Sequence, residues 1–257
     1  MKNSDPVGAL AQDPAFATLR RSLSIYYGDD KQTAAMDALY ARFLKPGDVG
    51  FDIGAHVGDR IGSFRRLGAR VVAVEPQPLC ARIIRSIYAG DDRVVLVEGV
   101  CSDRIGAVTF NINSLNPTIS TVSADFIRGA DGAANWEGEV WDRTIEVPCT
   151  TLDALILEHG LPAFAKIDVE GFEDVVLAGL SRPLVALSFE FTTIQRDVGL
   201  KCLDRLTALG PYCFDVVLGE SQTFTFNRWI SKAEMAAHIK SLPHAANSGD
   251  VYCVLQE

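Results

Sequence analysis

Two carboxylates one residue apart, Asp168 and Glu170, stand at the end of an apolar run in K-I-D-V-E-G-F-E-D, residues 166–174. Alternation along an extended chain puts Lys166, Asp168 and Glu170 on one side, and Ile167 and Val169 on the other. Carboxylates at the tip of a buried strand can take a proton, hold a cationic ligand or bind a metal. Glu190, near the end of L-S-F-E-F at 187–191, offers a third such group on another strand. Gly171 lets the chain turn into the next helix without a side chain in the way. Glu173 and Asp174 then fall in that helix's first turn, where the macrodipole favours acids, and their role reads as structural. The bland alternatives for the first two acids are a salt bridge from Lys166 and a helix cap at Glu170.

A second constellation lies in F-D-I-G-A-H-V-G-D-R, residues 51–60. Gly54 and Gly58 permit a sharp turn and close approach of a ligand. Glu75 ends the next apolar run, 21 residues after Gly54. An acid there is placed to accept hydrogen bonds from a ribose diol. A dinucleotide fingerprint needs glycine at the second position of G-x-G, where backbone meets pyrophosphate, and here that position is His56. Asp52 would also repel pyrophosphate but attract a cation. S-adenosylmethionine carries an ammonium and a sulfonium and no phosphate, so the two acids fit it better than NAD.

The elements that must position these residues follow from periodicity. Apolar, β-branched runs at 49–53, 69–75, 93–99, 163–169, 184–191, 212–218 and 251–256 predict seven strands. Ile61, Phe64 and Leu67, then Leu79, Ile83 and Ile87, recur at helical spacing, as do Phe172, Val176 and Leu180, and Leu200, Leu203, Leu206 and Leu209. Alternating strands and helices imply an α/β domain with a parallel sheet covered on both faces. Pattern alone leaves open the mutual direction of the last two strands, because 220–250 offers no clean crossover helix. Residues 1–45 read as a helical extension packed on the sheet edge or on a second copy, with the main domain at 46–257. Residues 112–147 show no steady period and read as a long insert of the kind that usually serves function. Its Trp136 and Trp141 either form a small core of their own or stack on a sugar ring.

Composition excludes several classes. Net charge is −9, with 33 acidic against 24 basic residues, which argues against a nucleic-acid partner. No apolar run approaches the ~20 residues of a membrane span. The start lacks the apolar core of a signal peptide, and the six scattered cysteines read as buried, reduced thiols, so the expected location is the cytoplasm.

F-D-I-G-A-H-V-G-D-R, V-V-A-V-E-P-Q-P-L-C, T-T-L-D-A-L, K-I-D-V-E-G-F-E-D-V-V-L-A-G-L and L-S-F-E-F together resemble the FkbM family of S-adenosylmethionine-dependent methyltransferases, from about residue 45 to 220. The resemblance implies a class I methyltransferase fold, Rossmann-like, with a seven-stranded, mostly parallel sheet whose last strand is antiparallel. It implies O-methylation, usually of a hydroxyl on a sugar, glycolipid or polyketide-like product. It places Asp52, Gly54, Ala55 and Gly58 at the methionine end of the cofactor. Glu75 falls on the ribose, Pro76 and Gln77 beside the adenosine, and one of Cys101, Ser102 or Asp103 at the adenine. The chain departs from the family's common residues at His56 and Arg60. The acceptor is left unspecified, as a small hydroxylated molecule.

An alkyl hydroxyl is almost as weak an acid as water, with pKa ~15.7, so a positioned base must take its proton as the methyl arrives. Asp168 is expected against the cofactor's ammonium. Asp168 or Glu170 is expected as the base, with Glu190 and His56 as further candidates. Mg²⁺ between Asp168 and Glu190 is the less favoured reading, because the sequence shows no third ligand. Competing functions are N-methylation of a small amine, a non-catalytic nucleotide-binding module and an NAD-dependent dehydrogenase. The N-terminal helices offer a surface for a homo-oligomer.

Overall fold

Apolar runs become buried inner strands because helices cover both faces of the sheet, while the edge run at 94–97 stays half-buried. The computed structural model describes residues 6–256. Three helices lead the chain: α1 (Pro6–Gln12), α2 (Arg20–Tyr27) and α3 (Asp30–Tyr40). The alternation then runs β1 (Val49–Ile53), α4 (Asp59–Arg66), β2 (Arg70–Val74), α5 (Pro78–Ile87) and β3 (Val94–Val97). An excursion follows, with β4 (Val100–Cys101), β5 (Gly106–Ile112), α6 (Ala124–Ala130) and β6 (Arg143–Thr150). The chain returns through α7 (Leu152–His159), β7 (Phe164–Ile167), α8 (Glu173–Ala178), β8 (Ala186–Thr192) and α9 (Arg196–Leu209). It ends with β9 (Tyr212–Leu218), α10 (Lys232–Ser241) and β10 (Ser248–Leu255).

The main sheet has seven strands in the order β3-β2-β1-β7-β8-β10-β9. From β3 to β8 the pairs are parallel, and β10 runs antiparallel to both β8 and β9. This is the sheet implied by the resemblance, including the reversed last strand. The excursion forms its own three-stranded sheet, β4-β6-β5.

Both faces are filled. On one, Ile53, Val74, Ile167 and Phe189 pack with Val176 and Leu177 of α8 and Val198 and Leu203 of α9. On the other, Val71, Ala73, Phe164 and Tyr252 meet Met36 and Leu39 of α3 and Ile61 and Phe64 of α4. The helical extension therefore covers a sheet face rather than the sheet edge. Phe16, Leu19 and Leu23 form a further cluster with Val57, Cys80 and Ile83, which joins the first helices to the loop after β1. The expected extension's residues 1–5 lie outside the described residues. All six cysteines are buried and unpaired.

Several expected boundaries shift for physical reasons. The strand expected over 163–169 stops at Ile167, because Glu170 and Gly171 both take positive φ, +56° and +83°. The run expected over 93–99 divides at Gly99, and β4 leaves for the small sheet. Residues 112–147 are not irregular throughout: Ser123 caps α6 by accepting from the Phe126 N–H, and Trp136 packs edge-on to Phe126. The tryptophans thus belong to the insert's own core, with Trp141 Nε1 donating to the Ile119 carbonyl. Residues 220–250 do hold one helix, α10, opened by a capping box between Ser231 and Glu234.

Candidate active site

The sheet turns its order at β1. The chain leaves β1 toward β2 on one side and re-enters at β7 on the other, so the loops after these two strands part and open a crevice. Gly54 is the hinge of that crevice. Its φ is +89°, and a Cβ there would lie 1.8 Å from the Asp168 carbonyl oxygen. The loop after β1 can lie against the end of β7 only without a side chain at that point.

Glu75 fastens the loop on its other side. One carboxylate oxygen accepts the His56 N–H and the other the Gln77 N–H, each at 2.8 Å. Burial pushes this carboxyl up to about 8, against the pull of those two donors. His56 sits in the left-handed region, φ +47°, with its ring edge-on to Tyr26. Its Nδ1 lies 3.6 Å from Cys80 Sγ and its Nε2 3.4 Å from Thr118 Oγ1. Burial lowers its pKa to about 4, which keeps the imidazole neutral.

Two cavities meet along Gly54, His56, Thr118, Asp168 and Glu170. The smaller, about 40 Å³, is lined by Glu75, Pro76, Gln77 and Cys101, together with Phe110 and Phe172. The larger, about 240 Å³, takes in Asp52, Ala55, Asp168, Glu170 and Glu190. Gly58 lines neither and packs on Tyr88, whose hydroxyl donates to the Gly58 carbonyl. Ser102 and Asp103 also lie outside both linings, the Ser102 hydroxyl being turned to the Asp103 carboxylate.

The acids of the larger cavity differ in their partners. Lys166, 2% exposed, places Nζ 2.5 Å from Asp168 Oδ2 and 3.5 Å from Asp250 Oδ1. Burial opposes charge on Asp168, but the ammonium beside it holds the carboxyl below its ordinary value. Glu170 and Glu190 move the other way. Burial, and then the charge of Asp168, push both well above the usual carboxylate range. Asp52 is 2% exposed, its Oδ2 has no partner, and burial lifts it to about 7.

Both structural alternatives for this region resolve in particular ways. Lys166 does neutralise an acid, and the acid is Asp168. Glu170 caps no helix: Glu173 Oε1 accepts the N–H groups of Val169 and Gly171, at 2.9 and 3.3 Å. Glu173 thereby fixes the turn that aims Glu170, and the Thr121 hydroxyl holds the Glu170 carbonyl at 2.7 Å. At Gly171 a Cβ would lie 2.1 Å from Gln195 Oε1, so glycine lets α9 approach the turn.

Sequence reasoning missed several lining residues. Arg60 reaches Asp59 and both oxygens of Glu220, at 3.1 and 3.0 Å, and stacks over Tyr26. Asp250 lines neither cavity but reaches Lys166 from behind, because β10 pairs it opposite Glu190. Asn247 and Ser248 arrive with the same strand. No local signal marks Asp250, Asn247 or Ser248, which come from long-range register, whereas Arg60 lies inside the 51–60 motif.

Among curated proteins, the chain is 29% identical over 154 residues to the 2-O-methyltransferase NoeI of Sinorhizobium fredii. That match covers 58% of this chain and 63% of that relative's length. Solved structures similar in outline include a TehB-like SAM-dependent methyltransferase from Corynebacterium glutamicum, 11% identical, TM-score 0.48, covering 97% of this chain and all of that one. Another is a precorrin-6y C5,15-methyltransferase from Geobacter metallireducens, 15% identical, TM-score 0.46, covering 87% and 86%. The family model for the methyltransferase FkbM domain matches residues 52–226, from inside β1 to just past β9 and through the whole carboxylate cluster. That span is more than half of the chain, and the protein belongs to the FkbM methyltransferase family.

Proposed function

We propose that the protein is an S-adenosylmethionine-dependent O-methyltransferase acting on a hydroxyl of a sugar, glycolipid or polyketide-like small molecule. The observation that carries this reading is the junction of the two cavities at Gly54, Asp168 and Glu170. One cavity presents a ribose-type acid, Glu75, and the other a cluster of acids. The two cavities share five lining residues, so a ligand held against Glu75 abuts the acids of the second.

The residues present fit the cofactor. Gly54 lets the loop after β1 pack against the end of β7, and Asp52, which lines the larger cavity, has a carboxylate oxygen without a partner. Asp52, Gly54, Ala55 and Asp168 would hold the methionine end, Glu75 the ribose, and Pro76, Gln77 and Cys101 the adenosine. Gly58 and Ser102 would act from behind, through the loops they shape. When bound, S-adenosylmethionine supplies a methyl group on a sulfonium, which leaves as a neutral thioether. The chain's own task is the acceptor's proton. Glu170 takes it, since a carboxyl raised by burial and by Asp168 is a better base than a free one. Asp168, held charged by Lys166, faces the cationic donor. Glu190 shares the pocket with the acceptor, and His56, neutral and enclosed, shapes the wall rather than serving as base. The relative's name, a 2-O-methyltransferase, supports oxygen as the receiving atom.

The test is calorimetry with S-adenosylhomocysteine and NAD on one preparation, followed by a methyl-release assay over hydroxylated acceptors. Tight binding of S-adenosylhomocysteine with none of NAD is the expected result. Binding of NAD alone would remove the reading.

A further inference from the structure

The fold supplies the third ligand that the sequence lacked. One oxygen each of Asp168, Glu170 and Glu190 lie within 4.8 Å of one another. Glu170 joins the other two only because its backbone is left-handed, φ +56°, in a turn pinned by Glu173 and Thr121. Such a residue persists only where the surrounding structure over-determines it, and such strain clusters at functional sites.

Charge balance points the same way. Among the described residues, the cations of this cavity are already engaged. Lys166 lies between Asp168 and Asp250, and Arg60 lies between Asp59 and Glu220. Glu170 and Glu190 have no ion-pair partner. Three further observations lie outside the trio or on its far oxygens. Glu190 Oε2 is buried without a partner. Thr192, 5% exposed, sits two residues along β8 on the same side and lines the same cavity, with an unpartnered Oγ1. Asp52 lines that cavity as well, with its Oδ2 unpartnered.

We infer that Asp168, Glu170 and Glu190 bind one hard divalent cation, Mg²⁺ or Mn²⁺, with the Thr192 hydroxyl beside it. All-oxygen carboxylate sets suit these ions, which keep open positions for water or substrate oxygens. One oxygen from each carboxylate suffices, and the bound cation then lowers the acceptor hydroxyl's own pKa, so that a weaker base can take the proton. The site rests on the transferase reading for its purpose, which is to hold and acidify an acceptor hydroxyl. An acceptor with two neighbouring hydroxyls would fit it best, since both oxygens can reach one ion.

Calorimetry of the full chain, stripped with EDTA and titrated with Mn²⁺ alone near neutral pH, tests the site. One Mn²⁺ per chain is expected, with affinity at least tenfold weaker in Glu190→Gln. Thr192→Ala, a smaller change beside the cluster, should weaken binding severalfold and covers the case where Glu190→Gln does not fold. Bound protons would balance the same charges, and then no Mn²⁺ heat appears, which overturns the inference. Binding unchanged in both variants overturns it too. S-adenosylhomocysteine titrated in EDTA separates the two readings. If it binds and Mn²⁺ does not, the cation site falls and the transferase reading stands. If Mn²⁺ binds and it does not, the reverse holds.

Discussion

At the scale of single residues, Glu75 and Glu170 are expected to fail in different ways. Glu75 faces the smaller cavity, so Glu75→Ala should weaken S-adenosylhomocysteine binding by about 1–3 kcal/mol, the cost of leaving buried polar partners unpaired. Unchanged affinity by calorimetry would withdraw the ribose assignment. Glu170→Gln keeps size and reach but takes no proton. It should bind the cofactor as the parent does and turn over ~10²–10⁴-fold more slowly. Full rate with a lowered melting temperature would make Glu170 a structural residue. His56 bears on acid stability. Burial among Tyr26, Cys80 and Thr118, near Arg60, Asp59 and Asp168, depresses its pKa from 6.5 to about 4. The unfolded chain therefore binds a proton that the native chain refuses, and stability is lost as pH falls from about 6.5 toward 4. Thermal melts of His56→Asn over that window should show a shallower decline than the parent's. Equal slopes would mean that His56 stays neutral in neither state or titrates alike in both.

Elements were legible where sequence distance was short. The strands β1, β2 and β7 stood out as short apolar runs, each with a single charged residue. The turn glycine at 54 and the acids at 75 and 168 could be placed because each is defined by the strand end beside it. Asp250 could not be placed, since it reaches Lys166 only through the antiparallel register of β10 on β8. Glu170 was placed at the strand tip, but its closeness to Glu190 was hidden for a related reason. Plain alternation puts Glu170 on the right side but says nothing of the left-handed turn that folds it back. The helix α6 is seven residues long with Gly129 inside it, too short to show a period. In α10 the capping pair Ser231 and Glu234 was readable, but the polar flanks masked it. That box should matter to the element alone. Ser231→Ala should cost about 1 kcal/mol of stability, as loss of a cap does. It should leave S-adenosylhomocysteine affinity unchanged, which denaturant melts and calorimetry together would check.

At the scale of the whole molecule, the first helices are part of the core rather than an appendage. Phe16, Leu19 and Leu23 are at most 4% exposed and close over Val57, Cys80 and Ile83, behind the loop that carries His56. Each buried side chain of this kind is worth roughly 1.5–3 kcal/mol. A chain starting at Asp29 should therefore lose several kcal/mol of stability and bind S-adenosylhomocysteine poorly. A truncated chain with the parent's melting temperature and affinity would show these helices to be dispensable. The family match begins at residue 52, so this stabilising layer and β10 lie outside it. The layer also contributes Tyr26 to the larger cavity, while β10 brings Ser248.

The six buried thiols have a practical consequence. Cys80, Cys202 and Cys253 are held well above the ordinary thiol range, chiefly by burial, and Cys101 is pushed up to about 12. Alkylating reagents attack thiolates, so the native fold shields its cysteines from labelling. A single cysteine introduced at an exposed position of the insert, such as Leu115, 88% exposed, would then be the one fast-reacting site. A fluorophore attached there would report ligand entry beside Thr118 and Ile119, which follow closely in the chain and line the larger cavity, without any native cysteine having to be removed.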